Sequence, residues 1–534
     1  MDLGRDHSGL DRAGSCEHRA RRMSARHDAI VIGAGLSGLS AAALLARVGL
    51  DVVVLEKADG PGGCARSFTR DGFTFDPAVH VTVEARPEAY IGLLLEHLGV
   101  ADQVVFERFG EIYRVDLPGF SMVAPTGRED FLAAHQDAFP AQARGLAELF
   151  EMRRELYEQT SSMPQRLDLA EDIEAVMARV PRVLEHRRST VESASAPYLD
   201  DERARAVMGA IWPYLGSSPD RLSFLLFNQM LETFHTGGWF PRGGFQSLVD
   251  AIVCGLESAG GTLRTGAEVT RVLSADGAVT GVELADGEQI LAETVIGASD
   301  GTALLAELVG WDALPASWKR RVERYTLAPS AVTLFGGFDG DPQQLGMVDE
   351  NIVFRHWDHR RTWAELQDGR PGGLWASVPT LVDPGMAPAG RHSVTITGLV
   401  PAELSRDWSA AKPELAEDMI AAVETAFPGF RDGFDLMETA TPATYARWTG
   451  NRGGAAYGWE NTPSQTASKR LPHVTPLKGL LLAGHWSEEG ESSLRALTSG
   501  RAVAELAAER HGLAGAVPSF GGPSSLREAA RAGS

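Results

Sequence analysis

The sequence predicts a mixed α/β protein: a discontinuous, Rossmann-type dinucleotide-binding domain with a mixed α/β, partly helical second domain inserted between its pieces. Three observations lead there. A glycine turn, Gly33-x-Gly35-x-x-Gly38, separates an apolar run from a helix-patterned run near the start. Apolar positions spaced by three and four then dominate residues 131–235. Strand and turn patterning returns over 262–296 and again at 479–482, after which 499–511 reads as a helix.

Residues 29–32, Ala-Ile-Val-Ile, form a short continuous apolar run of the kind buried in parallel sheets. Residues 36–48 carry helical spacing, with Arg47 in the last turn and Gly49 as the C-terminal cap. Residues 52–55 are a second apolar strand, closed by Glu56, so the whole is one βαβ unit. Gly33 permits the tight turn, Gly35 lets a pyrophosphate approach the backbone, and Gly38 packs helix on strand. The free N–H groups of the helix start, at Leu36 and Ser37, then face the phosphates. Glu56, with Lys57 beside it, stands about 20 residues on, where a carboxylate takes ribose hydroxyls. A second glycine loop follows, Pro61-Gly62-Gly63-Cys64-Ala65-Arg66-Ser67. Its glycines allow backbone contact, and Arg66 is expected to neutralise a cofactor diphosphate. Enzymes that bind only NAD do not usually carry this second loop, so the expected cofactor is FAD. Further along, the Asp-Gly turns at 276–277 and 286–287 divide a three-stranded meander, followed by the strand 294–296.

Composition sets the outer bounds. The chain has 534 residues and a net charge of −21, which argues against nucleic acid as a partner. Cys16, Cys64 and Cys254 are too few and too scattered for a disulfide framework, so a cytoplasmic setting is expected. No run reaches the length of a membrane span. Residues 1–22 are polar, Met23 precedes the first ordered-looking segment, and 1–27 are read as a disordered extension. Residues 513–534 read as a loose tail.

Along its length the chain resembles a group of FAD enzymes, the phytoene desaturases, carotenoid isomerases and retinol saturases, distant relatives of the amine oxidases. The resemblance runs over about 28–511 in the family's order. It is carried, after the βαβ unit and Gly62-Gly63, by Phe75-Asp76-Pro77-Ala78-Val79-His80 and by Pro241-Arg242-Gly243-Gly244-Phe245 with Leu248. Glu268-Val269 and residues 295–300 resemble the strands lining the adenine side, which brings in Val269, Ser299 and Asp300. Asn451-Arg452-Gly453-Gly454 with Tyr457-Gly458 resembles the late glycine-rich block. Leu482-Ala483-Gly484-His485-Trp486 with Ser499-Gly500 resembles the terminal flavin signature, adding Gly484 and His485. The departures are Ala78, where many members carry Gly, and the charged loop Glu488-Glu489-Gly490-Glu491-Ser492-Ser493-Leu494 in place of a Pro-Gly-x-Gly-Val-type loop. In relatives that loop, with Leu494, lies beside the isoalloxazine, and its charge weighs against a bare hydrocarbon substrate. No cysteine stands in the C-terminal block, so the FAD is expected to be non-covalent.

The resemblance implies FAD-domain pieces at 28–130, 239–310 and 441–512, and substrate-domain pieces at 131–238 and 311–440. It implies redox at the C–C or C=C bonds of a long apolar conjugated substrate, a carotenoid or other polyene or isoprenoid. Desaturase, saturase or reductase, and isomerase all stay open. So do two other classes, a flavin amine oxidase, which needs an aromatic cage for the amine, and a non-catalytic FAD- and lipid-binding protein. His80, Glu84 and Tyr457 are the candidates for moving the proton that redox at carbon leaves over. His80 also reads as a hydrogen-bonded core histidine supporting the flavin loop. His356-Trp357-Asp358-His359 lacks a zinc spacing and is read as a polar strand or loop edge, with no metal expected. The basic run Arg179, Arg182, His186, Arg187 and Arg188 reads as a solvated helix face or as a docking patch for anionic lipid or an acidic carrier protein. The apolar stretch 222–231, with Phe224, Phe227 and Met230, is either a tunnel wall or core. An electron donor or acceptor of unknown identity completes the expected partners.

Overall fold

The computed structural model describes residues 25–163 and 173–520. Cys16, residues 1–24 of the extension expected at 1–27 and the end of the tail lie outside the described residues; the extension's last residues are instead ordered, with Arg26 bridging to Leu291 and the His27 N–H bonded to the Leu291 oxygen. Among the described residues, the strands gather mainly into a parallel five-stranded sheet and a mostly antiparallel seven-stranded sheet.

The five-stranded sheet runs Leu480–Leu482, Thr294–Gly297, Ala29–Ile32, Val52–Leu55, Thr262–Arg264. Ala29 pairs with both Val52 and Thr294, and Gly297 with Leu482. Alternation along the strands decides what each face buries. Ala29, Val31, Val52 and Val54 turn towards the helices Leu36–Arg47, Phe245–Ser258 and Ser493–Arg510. Ile30, Ile32, Val53 and Leu55 turn the other way, onto the meander of strands Val269–Ala275, Ala278–Leu284 and Gln289–Leu291. Ala29–Ile32, Val52–Leu55 and Leu480–Leu482 are buried and apolar throughout, which is why they read as continuous runs, whereas the edge strand Thr262–Arg264 is partly exposed.

The seven-stranded sheet runs Phe434–Ala440, Ser330–Asp339, Arg391–Val400, Gly372–Ser377, Glu350–Val353, Glu111–Leu117, Phe120–Pro125. One face packs on the helix Trp408–Ala426 through Leu415, Met419 and Val423. The other meets the helices Ala143–Ser161 and Phe224–Phe234. The last two strands of this sheet fall within the segment that the sequence assigns to the dinucleotide domain up to residue 130. They leave it because Asn351, Ile352 and Val353 pair with Arg114, Val115 and Asp116, a long-range register with no local signature. The tail also differs from expectation over 513–520. Val517 and Phe520 are buried, and the Phe520 ring packs edge-on against Tyr90.

The first and last helices cross at very short range. A Cβ on Gly500 would stand 2.5 Å from the Ser37 carbonyl oxygen and 2.7 Å from Ser40 Cβ. In an exposed helix Gly→Ala stabilises by about 1 kcal/mol. Here the sign reverses: Gly500→Ala is expected to destabilise by about 1–3 kcal/mol, read as a lower melting temperature.

Candidate functional site

A single cavity of about 1200 Å³ runs from the first glycine turn into the interface between the two sheets and out among the helices of the inserted domain. At its inner end Gly33 holds φ +102°, and a Cβ there would meet the Ala298 carbonyl oxygen at 2.7 Å. Gly38 is tighter still, since its Cβ would lie 2.0 Å from the Gly33 oxygen. Gly35 is the opposite case. A Cβ there has nothing within 4 Å, because the residue faces the open cavity. The helix that starts at Leu36 has no side-chain cap, so its first N–H groups and its dipole stay available to an anion. The second glycine loop closes on the first through a backbone bond from Gly62 N–H to the Ala34 oxygen at 2.8 Å.

Glu56 accepts from the backbone N–H of Ala34 and of Ala58, each at 2.8 Å, which fixes its carboxylate in the cavity wall with lone pairs to spare. Leu36, Ser37, Lys57, Gly63, Cys64, Val269, Ser299, Asp300, Gly484, His485 and Leu494 are in the same wall. Burial pushes the Cys64 thiol up to about 11. The Gly484 N–H is held by Ser499 Oγ at 2.8 Å, so the last helix carries this loop onto Ser37. Asp300 spends its carboxylate on the N–H groups of Thr302, Ala303 and Arg452. The shape and donor set fit FAD: an uncapped helix start, a glycine cradle a Cβ would fill, and a fixed carboxylate opposite.

Arg66 is placed away from the diphosphate role expected of it. It lies outside the cavity wall, its side chain 41% exposed, with Nη1 2.7 Å from Asp59. Ser67 is likewise outside; it donates to Asp76 at 2.5 Å and accepts from the Gln246 N–H. Both turn away because Gly62 packs on the Arg66 backbone and Asp76 draws Ser67 inward.

His80, Glu84 and Tyr457 all line the cavity. The segment bearing His80 is pinned from several sides. Asp76 accepts from the Phe245 N–H, Tyr445 donates to the Pro77 oxygen at 2.7 Å, and Thr82 N–H bonds to Trp239. Burial pushes the Asp76 carboxyl up to about 7. The His80 ring packs against Tyr214 and Trp375, and its Nδ1 approaches Glu350 Oε2 at 3.0 Å. Glu84 holds a left-handed backbone at φ +57°, a strained position for a side chain of its size. Burial raises its carboxyl, and Oε1 has no hydrogen-bond partner. Tyr457 is committed: its hydroxyl donates to the Pro213 oxygen at 2.9 Å. His485 is neutral at ordinary pH, since burial and the nearby Arg470 pull it down to about 4.

The charged loop 488–494 is compensated. Glu491, raised by burial, stands 3.5 Å from the buried Arg470, and Glu489 stands 4.0 Å from His473. The stretch 222–231 divides by helical phase. Leu225, Leu226 and Met230 line the cavity, while Phe224, Phe227 and Leu231 pack in the core. The basic run divides too. Arg182 is tied to Glu155 and Glu185, whereas Arg187 reaches the cavity wall beside Lys469. Lys469 also lines an adjoining cleft with Arg320, Arg321 and Arg324. His356 pairs with Glu365 at 2.8 Å, and His359 is buried between Trp212 and the Ala206 oxygen. Glu350, Tyr214 and Trp375 carried no signal in the sequence. Their partners lie more than a hundred residues away, and only the inward polar residue at the head of an apolar strand, Glu350-Asn351-Ile352-Val353, hinted at a role.

The family model described as flavin containing amine oxidoreductase matches residues 36–508. Among curated proteins, the chain is 26% identical over 517 residues to prolycopene isomerase 1, chloroplastic, of an Oncidium hybrid cultivar, covering 91% of this chain and 85% of that one. It is 27% identical over 492 residues to the zeta-carotene-forming phytoene desaturase of Myxococcus xanthus, covering 89% and 93%. It is 24% identical over 523 residues to the all-trans-retinol 13,14-reductase of Danio rerio, covering 87% and 83%. An oxidoreductase from Methanosarcina mazei superposes with a TM-score of 0.61 at 18% identity, over 89% of this chain and 99% of that one; this likeness speaks for the fold alone.

The two glycines predict opposite outcomes. Gly35→Ala is expected to leave the apoprotein's melting temperature near wild type while weakening FAD at least about tenfold, roughly 1.4 kcal/mol, in a flavin titration. Gly38→Ala is expected to lower the melting temperature of the apoprotein itself.

Proposed function

The chain belongs to the family of flavin-containing amine oxidoreductases, with FAD as its cofactor, and from that premise we propose that it performs redox at C–C or C=C bonds of a long, apolar, conjugated substrate. The observation that carries this reading is the continuity of the cavity. One space of about 1200 Å³ joins the dinucleotide loops to an apolar wall built from Leu225, Leu226, Met230 and Val183. The cofactor would take part of that space, and the remainder, being apolar-walled, suits an apolar substrate better than a small polar metabolite. The isomerase, desaturase and reductase among its relatives are named for carotenoids or retinol, which are long, apolar and conjugated.

Bound FAD supplies two-electron redox at carbon, and the proton of the same reaction is left to the protein. His80 suits that task best of the three candidates. The Tyr457 hydroxyl already donates its hydrogen bond to a carbonyl, and Glu84 sits in a strained turn. His80 lines the cavity while its Nδ1 edge is turned to Glu350, which leaves Nε2 as the ring nitrogen for substrate. The inner loops hold the cofactor and the aromatic wall of Tyr214, Trp375 and Tyr445 excludes water from the middle of the channel. The same aromatic wall favours a second reading, amine oxidation.

Substrate delivery belongs to the same proposal. A polyene must come from a membrane or a carrier, and the net charge of −21 repels anionic surfaces on average. Arg187 and Lys469 line the cavity, and Arg188 and Arg187 lie near enough to Lys469 to lower its ammonium after burial does, so this patch would flank the entrance. No helix among the described residues is long and apolar enough to cross a membrane, so contact with lipid would be made by this patch.

Anaerobic incubation with a carotenoid polyene tests the chemistry. Oxidised protein that desaturates, reduced protein that saturates, or protein that isomerises without net redox supports the proposal; bleaching by amines alone supports the second reading, and a bound but unchanged polyene indicates a carrier. His80→Ala is expected to slow turnover by about 10²–10⁴ with FAD content unchanged. Reversing Arg187 and Arg188 to Glu is expected to depress activity on substrate in anionic vesicles, increasingly so at low salt, and to spare a short soluble polyene. An equal fall on both substrates removes the delivery role.

A further inference from the structure

We propose that Glu350 is a positioning residue that fixes the orientation and ring tautomer of His80, so that Glu350, His80 and Tyr214 work as one proton-handling unit. This rests on the reading of His80 given above.

Glu350 heads the strand Glu350–Val353 of the seven-stranded sheet, and strand alternation sends it to the cavity side along with Ile352. It does not itself line the cavity; His80, Tyr214 and Trp375 do, and Glu350 stands behind them. Its side chain is 1% exposed. Oε2 accepts from the Tyr214 hydroxyl at 2.5 Å and lies 3.0 Å from His80 Nδ1, while Oε1 has no hydrogen-bond partner. The His80–Glu350 approach is short but off the ideal hydrogen-bond line, as is common for acid–base pairs before substrate binds.

A carboxylate this deeply buried must be neutralised or paired. No Arg or Lys among the described residues forms an ion pair with Glu350; His80 is the one basic group in reach. The other titratable groups around the pair do not supply a cation. Asp349 is bound to the Gly110 N–H, and burial first, then Glu350 among its neighbours, pushes its carboxyl up to about 6. Asp76 lies on the other side of His80, and Tyr113 and Tyr457 lie near Tyr214. Burial and the Glu350 charge hold the Tyr214 phenol far above its ordinary range, so it serves as a hydrogen-bond donor that steadies the carboxylate. The Nδ1 edge of His80 is therefore turned to the Glu350 carboxylate, which leaves Nε2 as the ring nitrogen for substrate. In the desaturating direction a substrate C–H bond breaks, its electron pair enters the new double bond, and the proton bonds to Nε2. The second C–H bond would give up its hydrogen together with its own bonding pair, as hydride, for which bound FAD would be the two-electron acceptor, and Glu350 stabilises the imidazolium. Saturation reverses each transfer.

Glu350→Gln keeps the shape and can still accept from Tyr214 but removes the charge. In FAD-loaded protein, kcat is expected to fall about 10²–10⁴-fold, with KM and FAD content within twofold of wild type. In ¹⁵N NMR of the apoprotein the His80 ring should lose its single tautomer and become a mixture. Adding Glu350→Gln to His80→Ala should cost nothing further. If His80→Ala retains activity, the His80 reading itself fails. If His80→Ala is inactive but Glu350→Gln keeps both its rate and a single tautomer, only the role of Glu350 is overturned. Should Glu350→Gln fold poorly, Tyr214→Phe is the second variant: it removes the bond to Oε2, and an unchanged rate and tautomer overturn the unit as described.

Discussion

The rest of the molecule depends on one crossing, where the last helix lies on the first with a glycine hydrogen at the point of contact. Because Gly500 has no side chain, the helix Ser493–Arg510 comes within reach of Ser37, and Ser499 then holds the Gly484 loop against the same turn. Strand Leu480–Leu482 completes the edge of the parallel sheet just before it. The phosphate-facing turn near the start of the fold and the flavin-facing loop near its end are thus walls of one space. The apolar wall of Leu225, Leu226 and Met230 belongs to the same space.

That channel is also where buried charge is concentrated, and each case is handled by a partner at short range. Arg470 bonds to the carbonyls of Gln465, Trp459 and His485 and faces Glu491. Arg153 is buried with Glu232 and Asn228 on the far side of the channel helix, clear of the cavity. Beside it burial pulls His235 down to about 2 and His135 to about 4, so both rings are neutral fillers. Arg153 and Glu232 stand behind the wall, whereas Arg470 and Glu491 stand in it as a pair. An unpaired charge in such surroundings costs several kcal/mol, which makes the pairing of Glu350 with His80 a condition of stability as well as of chemistry.

Much of the frame was legible because its causes are local. The βαβ unit, the glycine spacing and the Asp-Gly turns depend on neighbours a few residues apart, and they stand where periodicity and turn chemistry put them. Causes that act across the chain left weaker traces. Strand Glu111–Leu117 pairs with Asn351–Val353 and carries its hairpin partner Phe120–Pro125 with it, so both escaped assignment to the inserted domain. Arg66 has the type and distance for a diphosphate, but a nearer anion, Asp59, takes it. The stretch 222–231 could not be divided into wall and core without knowing which face met the sheet. Phe520 reads as tail because its partners, Tyr90 and His97, sit more than four hundred residues earlier.

The crossing of the two end helices has a further consequence in the cell, for the order in which the protein comes into being. Translation adds roughly 5–20 residues per second, so on the order of half a minute to a minute and a half separates the synthesis of Gly33 from that of Gly500. Throughout that interval the small, apolar face of the first helix has no cover, and the sheet lacks its final edge strand. Pairings so distant in sequence form slowly and leave sticky intermediates exposed. The walls of the cavity are therefore complete only once Gly500 has been made, and before that the chain exposes the face of the first helix that the last one covers.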